Sequence, residues 1–370
     1  MASSDLVLFI QPFAPPDQWL QSVRENHPGI RVEYHQVEMY AKELPPIPEE
    51  TWKETTVLFT WQLFPPKEWV PNLQYVQLLS AGCNQLLGMP IFEDTDIAFC
   101  TSNGNHPFQR PRMLGHLISP SASQMAAIYP EWVFSTFLAF QHHIPEYLDN
   151  QRACKWVDPP SDEDTEDAVG LRVGILGYGC IGRQIARVAK AFGMDVYAYA
   201  LHERATPESR KSDSYTEPGL GDPEGEFPSA WFFGKDQLNT FLASDLDLLV
   251  ITLPLTNQTR GMISREQFDI LSKKKTYVSN AGRGPIINTE DLMVALDEGK
   301  IRGAALDVTD PEPLPADHRL WGYKNVIITP HCSGNSSHYY ERVLKIFACN
   351  LDRRAQGKGL LNHVNRSLGY

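Results

Sequence analysis

Arg283 in SNAGRGPIIN, Glu312 in LDVTDPEPLP and His331 in NVIITPHCSG each follow a short run that reads as a β-strand, which places all three at strand ends around one crevice. A guanidinium there grips a carboxylate in a two-point fork, while a histidine backed by a glutamate donates a proton to a neighbouring oxygen. Together they equip a site to reduce a 2-keto acid. Singly, each has a plainer reading: Arg283 in a surface ion pair, Glu312 as a turn residue between prolines, His331 as a satisfied core imidazole. The order and spacing carry more than any one residue, with 29 positions from Arg283 to Glu312 and 19 from Glu312 to His331.

Upstream, RVGILGYGCIGRQIARVAKAFGMDVYAYA reads as a strand, a glycine turn, an amphipathic helix and a second strand. Isolated glycine turns are common, but a GxGxxG between an apolar strand and a helix has the context that dinucleotide binding requires. Gly177 permits the tight turn, Gly179 lets the backbone approach a pyrophosphate, and Gly182 lets helix and strand pack closely. Tyr178, Cys180 and Ile181 complete the loop, and the amides of the helix start face the phosphates.

Those elements need a large, soluble-type frame. A chain of 370 residues exceeds what one core usually fills, so two domains are expected. Apolar residues at 42% and charged residues at 21% are ordinary for a globular enzyme. The net charge of −12, with Lys273, Lys274 and Lys275 as the compact basic run, argues against a nucleic-acid partner. The start, MASSDLVLFIQPFAPP, lacks a basic lead and its apolar run is too short for a signal sequence or a membrane span, so no membrane partner is expected. Six cysteines without a CxxC pair suggest reduced thiols and a cytoplasmic location. Scattered histidines, His142 and His143 among them, lack ligand spacing and give no metal site.

β-Branched and aromatic runs recur at 6–10, 31–35, 56–60, 75–80 and 97–102, then at 247–254, 276–282, 304–308 and 326–330. Their alternation with helical or loop connections predicts an α/β fold with parallel sheets. Residues 129–150 read as a long apolar helix interrupted or kinked at Pro145.

The words RGPII, ALDV-x-DPEPLP and TPH, with the glycine turn before them, resemble the D-isomer-specific 2-hydroxyacid dehydrogenase family over nearly the whole chain, in its glyoxylate/hydroxypyruvate reductase-like branch. The resemblance implies two Rossmann-like/flavodoxin-like parallel-sheet domains with the active site in the cleft between them. Residues 1–106 and 336–370 would form a discontinuous substrate domain and residues 128–335 an NAD(P)-binding Rossmann domain. The resemblance also implies a homodimer, whose interface takes in the helix beginning near Pro130. Two stretches depart from the pattern. Residues 107–127 form an insertion, either a lineage-specific loop or a retained intron. The connection 202–235 is rich in Pro, Gly, Ser and Asp and reads as a loop, either a cover over the adenosine end of the coenzyme or a surface loop.

By the same resemblance, Arg283 holds the substrate carboxylate and polarises the carbonyl, His331 donates the proton, and Glu312 orients His331 and supports its positive charge. Ala81 and Gly82 in SAGCN offer backbone amides to the carboxylate, and Trp61 to Phe64 border the substrate side chain. Asp307 corresponds to the residue that meets the nicotinamide carboxamide, and Pro254 and Thr259 to positions lining the coenzyme. Ala200 stands where an NAD enzyme carries an acidic residue, 18 positions after Gly182, and His202, Arg204, Arg210 and Lys211 follow, which favours NADP(H) over NAD(H). In the opposing reading, Glu203 turns back to take the acidic role. A nucleotide-sensing, corepressor-like binding protein shares the fold and trio, but no docking tail or nuclear-localisation cluster accompanies them here. Formate dehydrogenases pair the histidine with glutamine, and position 312 is glutamate.

Overall fold

The computed structural model describes residues 5–102, 128–212 and 219–366, and these divide into two compact units. One contains residues 5–102 and 337–366, the other residues 128–212 and 219–336. The 107–127 insertion lies outside the described residues.

In the first unit, β1 (Asp5–Gln11), β2 (Ile30–Gln36), β3 (Thr55–Thr60), β4 (Tyr75–Leu78) and β5 (Ala98–Cys100) form one parallel sheet in the order β2-β1-β3-β4-β5. Helices α1 (Asp17–Asn26), α2 (Glu49–Glu54) and α3 (Pro90–Glu93) connect the strands. Parallel strands are covered on both faces, which is why the LVLFI run of β1 is continuously apolar and fully buried. The closing helix, Tyr339–Ala355, packs on this sheet. Its Phe347 ring lies 5.1 Å from Phe59, its Asn350 amide donates to the Tyr75 hydroxyl at 3.0 Å, and Arg354 forks onto Asp5 at 2.6 and 2.9 Å. The unit is therefore built from both ends of the chain.

The second unit opens with α4 (Ile128–Gln141) and α5 (Ile144–Arg152). There follow β6 (Arg172–Leu176), α6 (Cys180–Ala191), β7 (Asp195–Ala200), α7 (Pro207–Arg210), β8 (Ala230–Phe233), α8 (Gly234–Leu242) and β9 (Leu248–Ile251). The unit is completed by α9 (Arg265–Leu271), β10 (Tyr277–Asn280), α10 (Thr289–Asp297), β11 (Gly303–Leu306) and β12 (Val326–Ile328). All strand pairs are parallel, in the order β12-β11-β10-β9-β6-β7-β8. The chain winds outward from β6 through β7 and β8, then returns to β9 and winds the other way. The switch point between β6 and β9 is where open sheets of this kind bind ligands, outside the carboxyl ends of the strands.

Two local expectations need correction. The apolar helix breaks at His142 and His143, before Pro145, with His143 in the left-handed region at φ 54°. Proline lacks an N–H and clashes only with a preceding turn, so it fits the first turn of α5 without a kink. The 202–235 connection is not loop throughout. It contains the short helix α7, and its end, AWFF, pairs with β7 as edge strand β8.

Candidate active site

Arg283 stands just beyond the carboxyl end of β10. The Asn280 side chain shapes its loop, accepting from Gly282 N at 3.1 Å and donating to the Arg283 carbonyl at 3.1 Å. The next residue must be glycine, because a Cβ on Gly284 would lie 1.9 Å from the Thr309 carbonyl oxygen. The loop after β10 is thereby pressed against the one after β11, which carries Glu312.

Glu312 and His331 meet directly, with Nδ1 of the imidazole 2.6 Å from Oε1 of the carboxylate. The Thr309 N–H also points at Glu312 Oε2, at 3.4 Å. Burial alone would raise the Glu312 carboxyl, but the hydrogen bond and charge of His331, the Thr309 amide and the charge of Arg283 outweigh it and hold the group below its ordinary range. His331 sits in the left-handed region at φ 52°, a conformation uncommon for a residue with a side chain. Its N–H donates to the Asp307 carbonyl at 2.8 Å and to the Thr329 carbonyl at 3.0 Å, which holds that conformation. With Nδ1 committed to Glu312, Nε2 is the nitrogen left to serve a substrate oxygen.

Asp307 is buried at the end of β11 and anchors the histidine turn. Its carboxylate accepts from Thr329 Oγ1 at 2.6 Å, Cys332 N at 2.8 Å and Ser333 N at 2.9 Å, and also from the Ser333 hydroxyl. A carboxylate has about four lone-pair sites, so little capacity remains for the carboxamide contact expected of it. Trp132 of α4 extends the anchor, its indole N–H donating to Thr329 Oγ1 at 3.0 Å. Nothing in the short motifs identified Trp132, because its partner is 197 residues away.

The glycine turn fits a dinucleotide on its own geometry. Gly177 has φ 115°, and a Cβ there would meet Leu253 N at 2.9 Å. A Cβ on Gly182 would lie 2.2 Å from the Gly177 carbonyl, so the start of α6 can rest on β6 only through glycine. At Gly179, the residue capping α6, no atom lies within 4 Å of the Cβ position, which leaves the helix start open to phosphate. Cys180 and Ile181 begin the helix. Tyr178 turns its side chain elsewhere: its buried hydroxyl donates to Asp222 at 2.7 Å, and its ring packs edge-on against Trp231 at 4.8 Å. Arg183 of α6 donates to the Asp222 and Arg210 carbonyls and Arg187 to that of Gly221 at 2.7 Å, so the described part of the long connection is fastened to the coenzyme turn.

Ala200 ends β7, with exposed His202 and Glu203 after it. Arg204 donates to the Ser209 carbonyl and Arg210 to that of Arg204, which ties this segment to α7. Thr259 is buried and donates to the Pro254 carbonyl at 2.7 Å. This one bond helps shape the loop after β9.

Ala81 and Gly82 belong to the first unit, beyond β4. Ser80 Oγ donates to the Gly82 carbonyl at 2.7 Å and accepts from Gln85 at 2.8 Å, while Gln85 also holds the Trp61 carbonyl at 3.1 Å. The Trp61 ring lies 5.0 Å from Tyr40. Among the described residues, no group of three or more His, Cys, Asp or Glu is placed to hold a metal, and no helix is long and apolar enough to cross a membrane.

Comparison with known proteins gives the family. The profile of the D-isomer specific 2-hydroxyacid dehydrogenase NAD binding domain matches residues 134–218 and 229–333. A glyoxylate/hydroxypyruvate reductase A of Enterobacter sp. (strain 638) is 31% identical over 371 residues, covering 98% of this chain and 99% of that protein. A glyoxylate reductase of Aeropyrum pernix is 38% identical over 199 residues, and there the chain spans only 53% of the relative's length. Among solved structures, a D-isomer specific 2-hydroxyacid dehydrogenase of Xanthobacter autotrophicus Py2, in complex with NADPH and MES, has a TM-score of 0.72 at 26% identity over the whole of both chains.

Proposed function

Since the chain belongs to the D-isomer-specific 2-hydroxyacid dehydrogenase family, we propose that it reduces a small 2-keto acid to the D-2-hydroxy acid, reversibly, with a nicotinamide coenzyme. The observation that carries this reading is the 2.6 Å contact between His331 and Glu312, in the unit that also holds Arg283 and the glycine turn. Bound reduced nicotinamide supplies the hydride. Arg283 grips the carboxylate and draws electron density toward the carbonyl oxygen. His331 delivers its proton from Nε2 to that oxygen as the carbon is reduced, so a carbonyl group, a hydride and a proton become an alcohol. Glu312, held ionised, keeps the imidazole aimed. The names of the relatives point to glyoxylate and hydroxypyruvate as first substrates.

NADP(H) is the coenzyme we favour. Ala200 puts no carboxylate against a 2′-phosphate, His202 and Arg204 supply positive or hydrogen-bonding character beyond it, and the Xanthobacter neighbour is described with NADPH. A homodimer is supported by apolar side chains that α5 and the following segment leave in water: Ile144, Leu148, Trp156 and Val157, the indole of Trp156 being 92% exposed. The cytoplasmic location we favour rests on the sequence, whose six cysteines include no CxxC pair.

The deciding experiment follows the loss of reduced-nicotinamide absorbance with a panel of 2-keto acids and each coenzyme. Turnover of glyoxylate or hydroxypyruvate with a higher kcat/KM for NADPH supports the reading. A clear NADH preference assigns the acidic role to Glu203, and no turnover with any acid leaves the nucleotide-sensing alternative standing. Sedimentation velocity tests the dimer.

A further inference from the structure

Tyr178 occupies the middle of the glycine turn, yet it is only 6% exposed. Its hydroxyl donates at 2.7 Å to the carboxylate of Asp222, a residue 44 positions on that is itself 2% exposed. The other donors to that carboxylate, Glu226 N at 3.0 Å and Phe227 N at 3.1 Å, are local and close the turn at 222–227 by themselves. The third bond serves something beyond that turn.

The neighbouring peptides show what it serves. The Gly177 N–H donates to the Tyr199 carbonyl at 3.0 Å, and the Gly177 carbonyl accepts from Thr252 Oγ1 at 2.7 Å, which fixes the peptide entering Tyr178. The Gly179 carbonyl accepts from Arg183 N at 2.9 Å, the first bond of α6, which fixes the peptide leaving Gly179. Between them lies the peptide that carries the Gly179 N–H, on the stretch of backbone that approaches a pyrophosphate. Glycine on one side leaves its rotation sterically open, so a handle on Tyr178 sets its direction. The ring is clamped along with the hydroxyl. Trp231 lies edge-on at 4.8 Å, and the Arg183 guanidinium stands 5.2 Å from the ring centre while donating to the Asp222 carbonyl.

We propose that Asp222 is a positioning residue for coenzyme binding: through the Tyr178 hydroxyl it holds the peptide of the Gly179 N–H in the direction a pyrophosphate requires. The inference rests on the coenzyme reading above. It gives the long connection after β7 a part in binding that needs no contact with the coenzyme itself.

A double-mutant cycle read by isothermal titration calorimetry of the full chain with NADPH tests this. Tyr178→Phe and Asp222→Ala are each expected to weaken NADPH roughly 3–10-fold, the range of one net hydrogen bond. Because Asp222 acts through the hydroxyl, Asp222→Ala should add no further loss in the Tyr178→Phe background. Arg187→Gln is the control for general loosening, since Arg187 fastens the same connection at the Gly221 carbonyl, 2.7 Å away, and packs 5.2 Å from the Phe227 ring centre. It should lower Tm and leave NADPH affinity unchanged. Unchanged affinity in Tyr178→Phe overturns the proposal, as do additive losses in the cycle or an equal loss in Arg187→Gln. If Asp222→Ala does not fold, Tyr178→Phe against Arg187→Gln decides. If the unaltered protein binds NADH in place of NADPH, the same cycle runs with NADH, and only the coenzyme preference is lost. Binding of neither coenzyme by the unaltered protein overturns the reading beneath.

Discussion

Gly284 touches the Thr309 carbonyl so closely that a Cβ would lie 1.9 Å from the oxygen. This contact locks the loop of Arg283 to the loop of Glu312, and the partner atom is backbone, which cannot swing aside. Gly284→Ala should therefore part the two loops and lower kcat/KM for the keto acid by on the order of 10²-fold, the usual cost of a misplacement of about 1 Å. Coenzyme affinity should persist, because the glycine turn lies after a different strand. Steady-state kinetics with a coenzyme titration check this, and normal kcat/KM would mean that the loops are not coupled.

His331 and Arg283 should fail in different ways. His331→Ala is expected to lower kcat by roughly 10²–10⁴-fold while coenzyme binding survives, the usual contribution of a positioned general acid. Arg283→Ala should raise KM and lower kcat together, since its charge acts on both the carboxylate and the developing oxyanion. Near-normal turnover in a folded His331→Ala protein removes the imidazole from the reaction. Full recovery of kcat at saturating substrate restricts Arg283 to binding.

The hydroxyl of Tyr178 is one of three donors to the buried Asp222 carboxylate, beside Glu226 N at 3.0 Å and Phe227 N at 3.1 Å. Tyr178→Phe keeps the ring against Trp231 and leaves the carboxylate short of a partner, at a cost of roughly 1–3 kcal/mol. Trypsin should then cut sooner after Arg204, Arg210 or Lys211, and Tm should fall. An unchanged cleavage rate together with an unchanged Tm would show that Asp222 does not fasten the connection.

Asp5 lends the first unit a pH dependence. The hydrogen bond from Arg354 holds its carboxyl below the ordinary value of 3.8, against burial, with help from Thr56 and the Arg354 charge. Because the folded-state pKa is depressed, the stabilisation is complete above about pH 3.8 and is lost as pH falls through the lower folded value. Asp5→Asn should therefore lower Tm at neutral pH, and the gap from the unaltered protein should close below about pH 3.8. A gap that stays constant down to pH 2 rules out the ion pair as its source.

What the chain states by itself is local. A glycine turn between a strand and a helix, and the RGP, DPEP and TPH words at strand ends, are written in consecutive residues, because turns and strand ends depend on backbone freedom and short-range bonds. Continuous apolar runs likewise mark parallel strands, which have no polar face. Even here Pro145 misled, since proline breaks a helix only where a turn precedes it, and AWFF was too short to stand out as an edge strand.

Only the tertiary structure decided which side chains are shared between distant segments. Trp132 reaches Thr329 across 197 residues and Tyr178 reaches Asp222 across 44, pairings that no spacing encodes. Asp307 became the anchor of the histidine turn because four donors converge on it once β11 and β12 lie side by side. Gly284 and Gly334 are glycines for the same reason: the space that a Cβ would need is already taken by Thr309 and Tyr129, and only packing brings those atoms there.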